Sequence, residues 1–206
     1  MNKKQLAILL SKLKTFYKPV VKLEQYPTDS EIAADILWFS YFNKNVSDRE
    51  IADLGCGTGI LGLGALILDA KKVYFVDVNK DALKIAKENL SFLEKSLGKK
   101  FNAIFVNKDV TDFNRKVDTV IENPPFGVKV KHADKKFLEK AMSISDKIYS
   151  LHKIESKDFI QGLVKKKNFE VKGIIQFKLP LKQTLDFHKR KIHVIKVGCW
   201  WLKRKL

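Results

Sequence analysis

The sequence predicts an α/β fold: one mostly parallel sheet with helices on its faces and at least one antiparallel strand near the C-terminus. Two observations carry this. From Glu50 onward, short apolar runs rich in β-branched residues alternate with amphipathic stretches of helical period, the pattern of right-handed βαβ units. Near the end, the strand-like runs 171–179 and 192–202 follow one another across a short connection, which suits an antiparallel pair. A length of 206 residues, 45% of them apolar and 14 of them Phe, fits a single domain with a sizeable core.

Taken in order, residues 3–16 place Leu6, Leu9, Leu10 and Leu13 at helical spacing, so an amphipathic helix precedes the main fold. Residues 18–28, interrupted by Pro19 and Pro27, form a loop. Asp29 or Ser30 caps a second helix carrying Ile32, Ile36, Leu37 and Trp38 to about Tyr41. Residues 1–45 are thus expected as a helical extension that covers the site or one side of the sheet. Strands follow at 51–54, 73–78, 101–106, 117–121 and 147–151. Helices are expected from the turn after the first strand to about Leu68 and at 80–94, 133–143 and 157–167. No repeat, linker or low-complexity tract interrupts the pattern.

Charge is unevenly spread. The formal net charge is +17, of which residues 1–28 contribute +5, residues 29–150 only +1 and residues 151–206 contribute +11. A polyanion held by the basic ends beside a neutral middle explains this; so does a solvated lysine surface. No apolar run is long enough to span a bilayer, and the lysine-studded start lacks a small-residue cleavage site, so a soluble cytoplasmic protein is expected. Cys56 and Cys199 are differently flanked and far apart, and the four His have no ligand spacing, so neither a disulfide framework nor a metal site is indicated.

Chemistry is carried by four strand ends. Asp53-Leu54-Gly55-Cys56-Gly57-Thr58-Gly59 follows the first strand and opens a helix, and glycine there lets the backbone turn sharply and approach a ligand. Asp77 ends the next strand, 18 residues beyond Gly59, where a carboxylate can accept from both ribose hydroxyls. The glycines lack the dinucleotide spacing and the Gly-Lys-Ser/Thr of a phosphate loop, so no pyrophosphate cradle is visible. S-adenosylmethionine carries no phosphate, and its cationic methionine end suits Asp53. Asp109 is placed to accept from the adenine amine, with the backbone of Val110 at the ring edge; a plain turn at Lys108-Asp109 is the alternative.

The fourth strand ends in Asn123-Pro124-Pro125-Phe126. Two prolines force the chain out of the sheet after Ile121-Glu122. An exocyclic base amine is a poor nucleophile because its lone pair is delocalised into the ring. Two acceptors, Asn123 and the Pro124 carbonyl, can hold its hydrogens and turn the lone pair toward a methyl group, while Phe126 stacks on an extruded base.

These residues resemble class I S-adenosylmethionine-dependent methyltransferases with an Asn-Pro-Pro-Phe motif. With Leu23-Glu24-Gln25-Tyr26-Pro27-Thr28, Tyr149-Ser150-Leu151-His152-Lys153 and Phe187-His188-Lys189-Arg190, the chain is similar to the methyltransferase-like protein 5 family of small-subunit ribosomal RNA adenine-N6 methyltransferases. The resemblance spans about residues 6–202. It implies a Rossmann-like fold with a seven-stranded sheet. It also implies cofactor contacts from Gln25, Thr28, Gly55, Thr58, Ile60, Asp77, Lys108, Asp109 and Val110, catalysis by Asn123 to Phe126, and a zinc-binding activator of the Trm112 type as a partner. Protein-glutamine methylation, DNA-adenine methylation and a noncatalytic assembly role are the alternatives.

Lys129, Lys131, His132, Lys135 and Lys136 follow the catalytic loop and can guide phosphates or form a solvated face. His188-Lys189-Arg190-Lys191 reads as an RNA clamp or as a basic hairpin turn. Trp200 and Trp201 must face opposite sides of one strand, so one of them is expected in the core.

Overall fold

The computed structural model describes residues 1–17, 27–126, 133–181 and 193–205. Seven strands form one sheet: β1 (Glu50–Leu54), β2 (Lys72–Asp77), β3 (Ala103–Asn107), β4 (Thr119–Glu122), β5 (Lys147–Lys153), β6 (Phe169–Leu181) and β7 (His193–Arg204). Their spatial order is β3-β2-β1-β4-β5-β7-β6. The first five strands run parallel, and β7 lies antiparallel between β5 and β6. Strand order reverses at β1, with β2 and β3 on one side and β4 and β5 on the other. Such a switch point opens a crevice at the carboxyl ends of the strands, where ligands bind.

Among the described residues six helices cover the sheet: α1 (Lys3–Leu10), α2 (Ser30–Phe42), α3 (Ile60–Ile67), α4 (Lys80–Leu97), α5 (Ala133–Ile144) and α6 (Lys157–Lys166). Parallel strands buried on both faces need two cores. One core joins Leu6, Leu10, Ile36 and Leu37 of the first two helices to Leu63 of α3, Leu93 of α4 and the sheet residues Ile51, Phe75, Ile121 and Tyr149. The other packs Leu138 and Ala141 of α5 and Ile160 and Leu163 of α6 against Leu54, Val76, Val120 and Trp200. The N-terminal helices therefore cover one side of the sheet through α3. Packing there is close: a Cβ on Gly64 would sit 2.2 Å from Leu37 Cδ1.

The cap expected at Asp29 is present, and two further helices are capped by Asn side chains. Asn2 and Gln5 form a reciprocal capping box on α1, Asp29 accepts from Glu31 N and Ile32 N at the start of α2, and Asn79 does the same for Asp81 N and Ala82 N on α4. The first helix differs from expectation. It stops at Leu10 rather than at residue 16, because the Asn89 side chain captures the backbone of Lys14, accepting from its N–H at 2.8 Å and donating to its carbonyl at 3.0 Å. The terminal strands are longer than expected, and they begin and end as a hairpin whose connecting residues lie outside the described ones. Trp200 is fully buried, whereas Trp201 is half-buried on the opposite face and stacks on Tyr149 at 6.0 Å with Phe39 edge-on.

Candidate active site

The glycine turn between β1 and α3 is drawn across the end of β2. Gly55 N and Cys56 N both donate to the Val76 carbonyl, at 2.8 and 3.1 Å. Gly55, Gly57 and Gly59 have φ of +67°, +53° and +88°, a backbone that side-chain-bearing residues adopt at a cost. Neighbouring rings close over it: a Cβ on Gly55 would lie 2.7 Å from Phe137 Cε1, and one on Gly57 would lie 2.8 Å from Phe16 Cζ. Asn89 secures this arrangement, since the side-chain amide that brackets Lys14 also donates to the Thr58 carbonyl at 3.0 Å.

Two carboxyl groups sit beneath the turn. Asp53 is 1% exposed and accepts from Gly62 N at 2.8 Å, at the N-terminus of α3. Burial pushes its pKa up to about 7, with the Gly62 N–H acting in the opposite direction and the charge of Asp77 adding to the rise. Asp77 accepts from Gly57 N and from Asn79 N, each at 2.8 Å, so it ties the turn to the loop after β2. Burial raises its pKa too, against those backbone bonds. Among the described residues neither carboxyl group has a Lys or Arg partner. A crevice lined by buried acids without cations is suited to a cationic ligand and repels phosphate. S-adenosylmethionine, with a sulfonium and an ammonium group, fits that donor set.

The other expected cofactor residues gather at the same edge. Ile60 opens α3 half-buried, Thr58 is buried, and Val110 is buried in a short 3-10 turn whose N-cap is Asp109. Asp109 Oδ1 accepts from Thr111 N and Thr111 Oγ1, bonds that hold its pKa below the usual carboxylate range and keep it ionised. Lys108 is exposed beside it. Gln25 lies outside the described residues, as do Lys129, Lys131, His132, His188, Lys189, Arg190 and Lys191.

At the end of β4 the chain leaves the sheet as the two prolines require. Asn123 Nδ2 donates to Thr28 Oγ1 at 3.0 Å, so the residue before the N-cap of α2 orients the amide, and the acceptor end of that amide is its carbonyl oxygen. Pro124 is buried, and Phe126 is half-buried against the core on the α3 side of the sheet. Lys153 Nζ stands 6.0 Å from the Phe126 ring centroid. Behind Asn123 lies a chain of buried groups: Ser150 Oγ donates to Glu122 Oε1 at 2.7 Å and lies 2.7 Å from His152 Nε2. Among the described residues Glu122 Oε2 and His152 Nδ1 have no hydrogen-bond partner. Burial pushes Glu122 up to about 8 and His152 down to about 3, so both are neutral at pH 7.

Sequence reasoning missed Phe16, Asn89 and Phe137 around the turn and Glu122 behind the loop. Asn89 had a readable signal. It occupies the apolar face of α4 with Ala82, Leu83, Ala86 and Leu93, and a polar residue at such a position is a buried hydrogen-bonding device. Nothing in the spacing of Phe16 or Phe137 brings either ring to the glycines.

Switch-point crevice, glycine turn, paired acids and Asn-Pro-Pro-Phe exit together define a class I methyltransferase, with S-adenosylmethionine as its cofactor. The Methyltransferase small domain family matches residues 31–147. The chain is 35% identical to the rRNA N6-adenosine-methyltransferase METTL5 of Danio rerio, covering 93% of each chain. It is 36% identical to an uncharacterised protein of Methanocaldococcus jannaschii, over 95% of this chain and 91% of that one. A Pyrococcus horikoshii protein of known crystal structure superposes with a TM-score of 0.90 at 40% identity, over 100% of this chain and 99% of that one. The chain belongs to the METTL5 family of methyltransferases.

Proposed function

We propose that this protein methylates the N6 amine of an adenine in structured RNA, and that its substrate is small-subunit ribosomal RNA. The observation that carries the reading is the position of Asn123, held by Thr28 at the carboxyl end of β4, on the same edge of the sheet as Asp53 and Asp77. The Danio rerio relative is named for N6-adenosine methylation of rRNA, and the basic terminal segments suit a polyanionic substrate.

Bound S-adenosylmethionine would supply an electrophilic methyl group on sulfur. Asp77 would hold the ribose hydroxyls, and Asp53 would face the cationic methionine end. Asn123 Oδ1 and the Pro124 carbonyl would accept from the adenine amine, turning its lone pair out of conjugation, and Phe126 would stack on the base. Alignment by these residues is the contribution asked of the protein. A Trm112-type activator is part of the proposal. The edge strand β3, with Ile104 40% exposed, offers it an apolar rim. A cytoplasmic location belongs to the same reading.

Radiolabelled S-adenosylmethionine incubated separately with ribosomal RNA, DNA and protein, followed by nucleoside analysis, tests it. Label in N6-methyladenosine from RNA is the expected result; label confined to protein or DNA would defeat the reading.

A further inference from the structure

We propose that the outer part of the β6–β7 hairpin is a docking arm for the phosphate backbone of the RNA flanking the target adenine. The inference rests on the RNA reading above. Its geometry is set by register. Strand β5 ends at Lys153, paired with Val197, whereas β6 and β7 stay paired from Lys178↔Lys196 through Leu181↔His193. Those four rungs extend roughly 13 Å past the end of β5 at the usual rise of a strand. Because β5 runs parallel to β4, the arm projects from the carboxyl edge of the sheet, where Asn123 leaves β4.

The arm is attached through one face. Phe177 and Ile195 are half-buried against the same core cluster that receives Phe126, and Lys153 at the root of the arm stands beside the Phe126 ring. The opposite face carries Lys178 and Lys196, directly opposite one another and both exposed. Like charges in that position repel and weaken a strand pair. Among the described residues neither lysine has an ion pair, and residues 174–181 and 193–198 contain no acid that could relieve the repulsion. A polyanion laid across the arm relieves it. Phosphates flanking the extruded base would cross the arm to reach the Lys178–Lys196 pair on the face turned away from Phe126, whereas Lys153, in register with Val197 and Phe177, stays on the Phe126 face. That places Lys178 and Lys196 on the substrate path.

The test is the salt dependence of binding to a labelled hairpin of small-subunit ribosomal RNA, measured by fluorescence anisotropy. The proteins compared are the wild type, Lys178→Glu/Lys196→Glu and Lys178→Gln/Lys196→Gln. Both double variants should bind more weakly, the charge-reversed one by about tenfold or more. The slope of log affinity against log salt should become shallower by roughly 1.4 to 1.8, the contribution of two phosphates. Cofactor affinity by calorimetry and the melting temperature should be unchanged or, for Lys196→Glu alone, the melting temperature slightly raised by relief of the lysine repulsion. An unchanged slope in the glutamine variant would overturn the arm even if RNA is methylated. If RNA is bound with an arm-dependent slope while methyl label goes only to protein, the arm stands and the reaction assignment falls.

Discussion

The Asn89 side-chain amide holds Lys14 by both backbone groups, accepting from its N–H at 2.8 Å and donating to its carbonyl at 3.0 Å, although 75 residues separate the two. The same amide donates to the Thr58 carbonyl, so it joins the N-terminal segment to the cofactor turn. Replacing Asn89 by Ala strands a buried carbonyl at Thr58 and part-buried backbone groups at Lys14. The expected loss of stability is about 2–4 kcal/mol, read from denaturant midpoints. Because Phe16 follows Lys14 and lies over Gly57, cofactor affinity should fall at least several-fold in protein that remains folded. A variant with lowered stability but wild-type cofactor affinity would show that the Phe16 segment does not shape the cofactor site.

Asp77 accepts a backbone N–H on each carboxyl oxygen and is mostly buried, so Asp77→Asn removes the charge and also turns one of those acceptors into a donor facing an N–H. Asp77→Asn should weaken S-adenosylmethionine binding by about tenfold or more, as expected when a charge-assisted hydrogen bond is lost. RNA affinity should not move. Calorimetry with the cofactor and anisotropy with RNA check the two halves separately, and a parallel loss in both would argue for general disorder of the crevice.

Asn123→Ala removes the amide that Thr28 orients. Methyl transfer should drop by at least 100-fold while cofactor affinity changes little, because the amide is asked to act on the base amine rather than on the cofactor. Thr28→Val should lower transfer less, through loss of amide orientation. Single-turnover rates at saturating cofactor report this. Substantial transfer by the Asn123 variant would remove the amide from the mechanism.

How far these features were legible depends on whether they are local. The alternation of strand and helix placed nearly every element, since period and turn residues are properties of short windows. The Asn-Pro-Pro exit was equally local: prolines end a strand wherever they fall. Asn89 binding Lys14 and Phe137 packing on Gly55 are contacts between distant segments, set by helix–sheet packing that no window contains. The early end of α1 follows from that same capture, so leucines at helical spacing through Leu13 overstated its length. Glu122 was hidden differently. It ends β4 between Ile121 and Asn123, and only the register of Glu122 with Ser150 shows that the carboxyl group has a buried partner.

That partner chain gives the stability a distinctive pH dependence. Glu122 has an ordinary pKa of 4.5 when exposed and about 8 when folded, so between those values the native state keeps a proton that the unfolded chain has released. Its contribution to stability therefore falls as pH rises from about 4.5 to about 8, by at most ~1.4 kcal/mol per pH unit. Asp53 adds a loss of the same sign between 3.8 and about 7. His152 works the other way. Its folded pKa of about 3 lies below the ordinary 6.5, so stability rises with pH across that interval. The histidine offsets one of the two acids, so a net loss begins near pH 4.5 and steepens above about pH 6.5, where the histidine no longer contributes. Glu122→Gln keeps an acceptor for Ser150 but cannot ionise, so between pH 7 and 8 its melting temperature should stay level where that of the wild type declines. The advantage of the variant should be larger at pH 8 than at pH 5. Parallel melting curves for the two proteins across this range would mean that Glu122 reaches solvent and ionises normally, and the buried chain behind Asn123 would then be charged during catalysis.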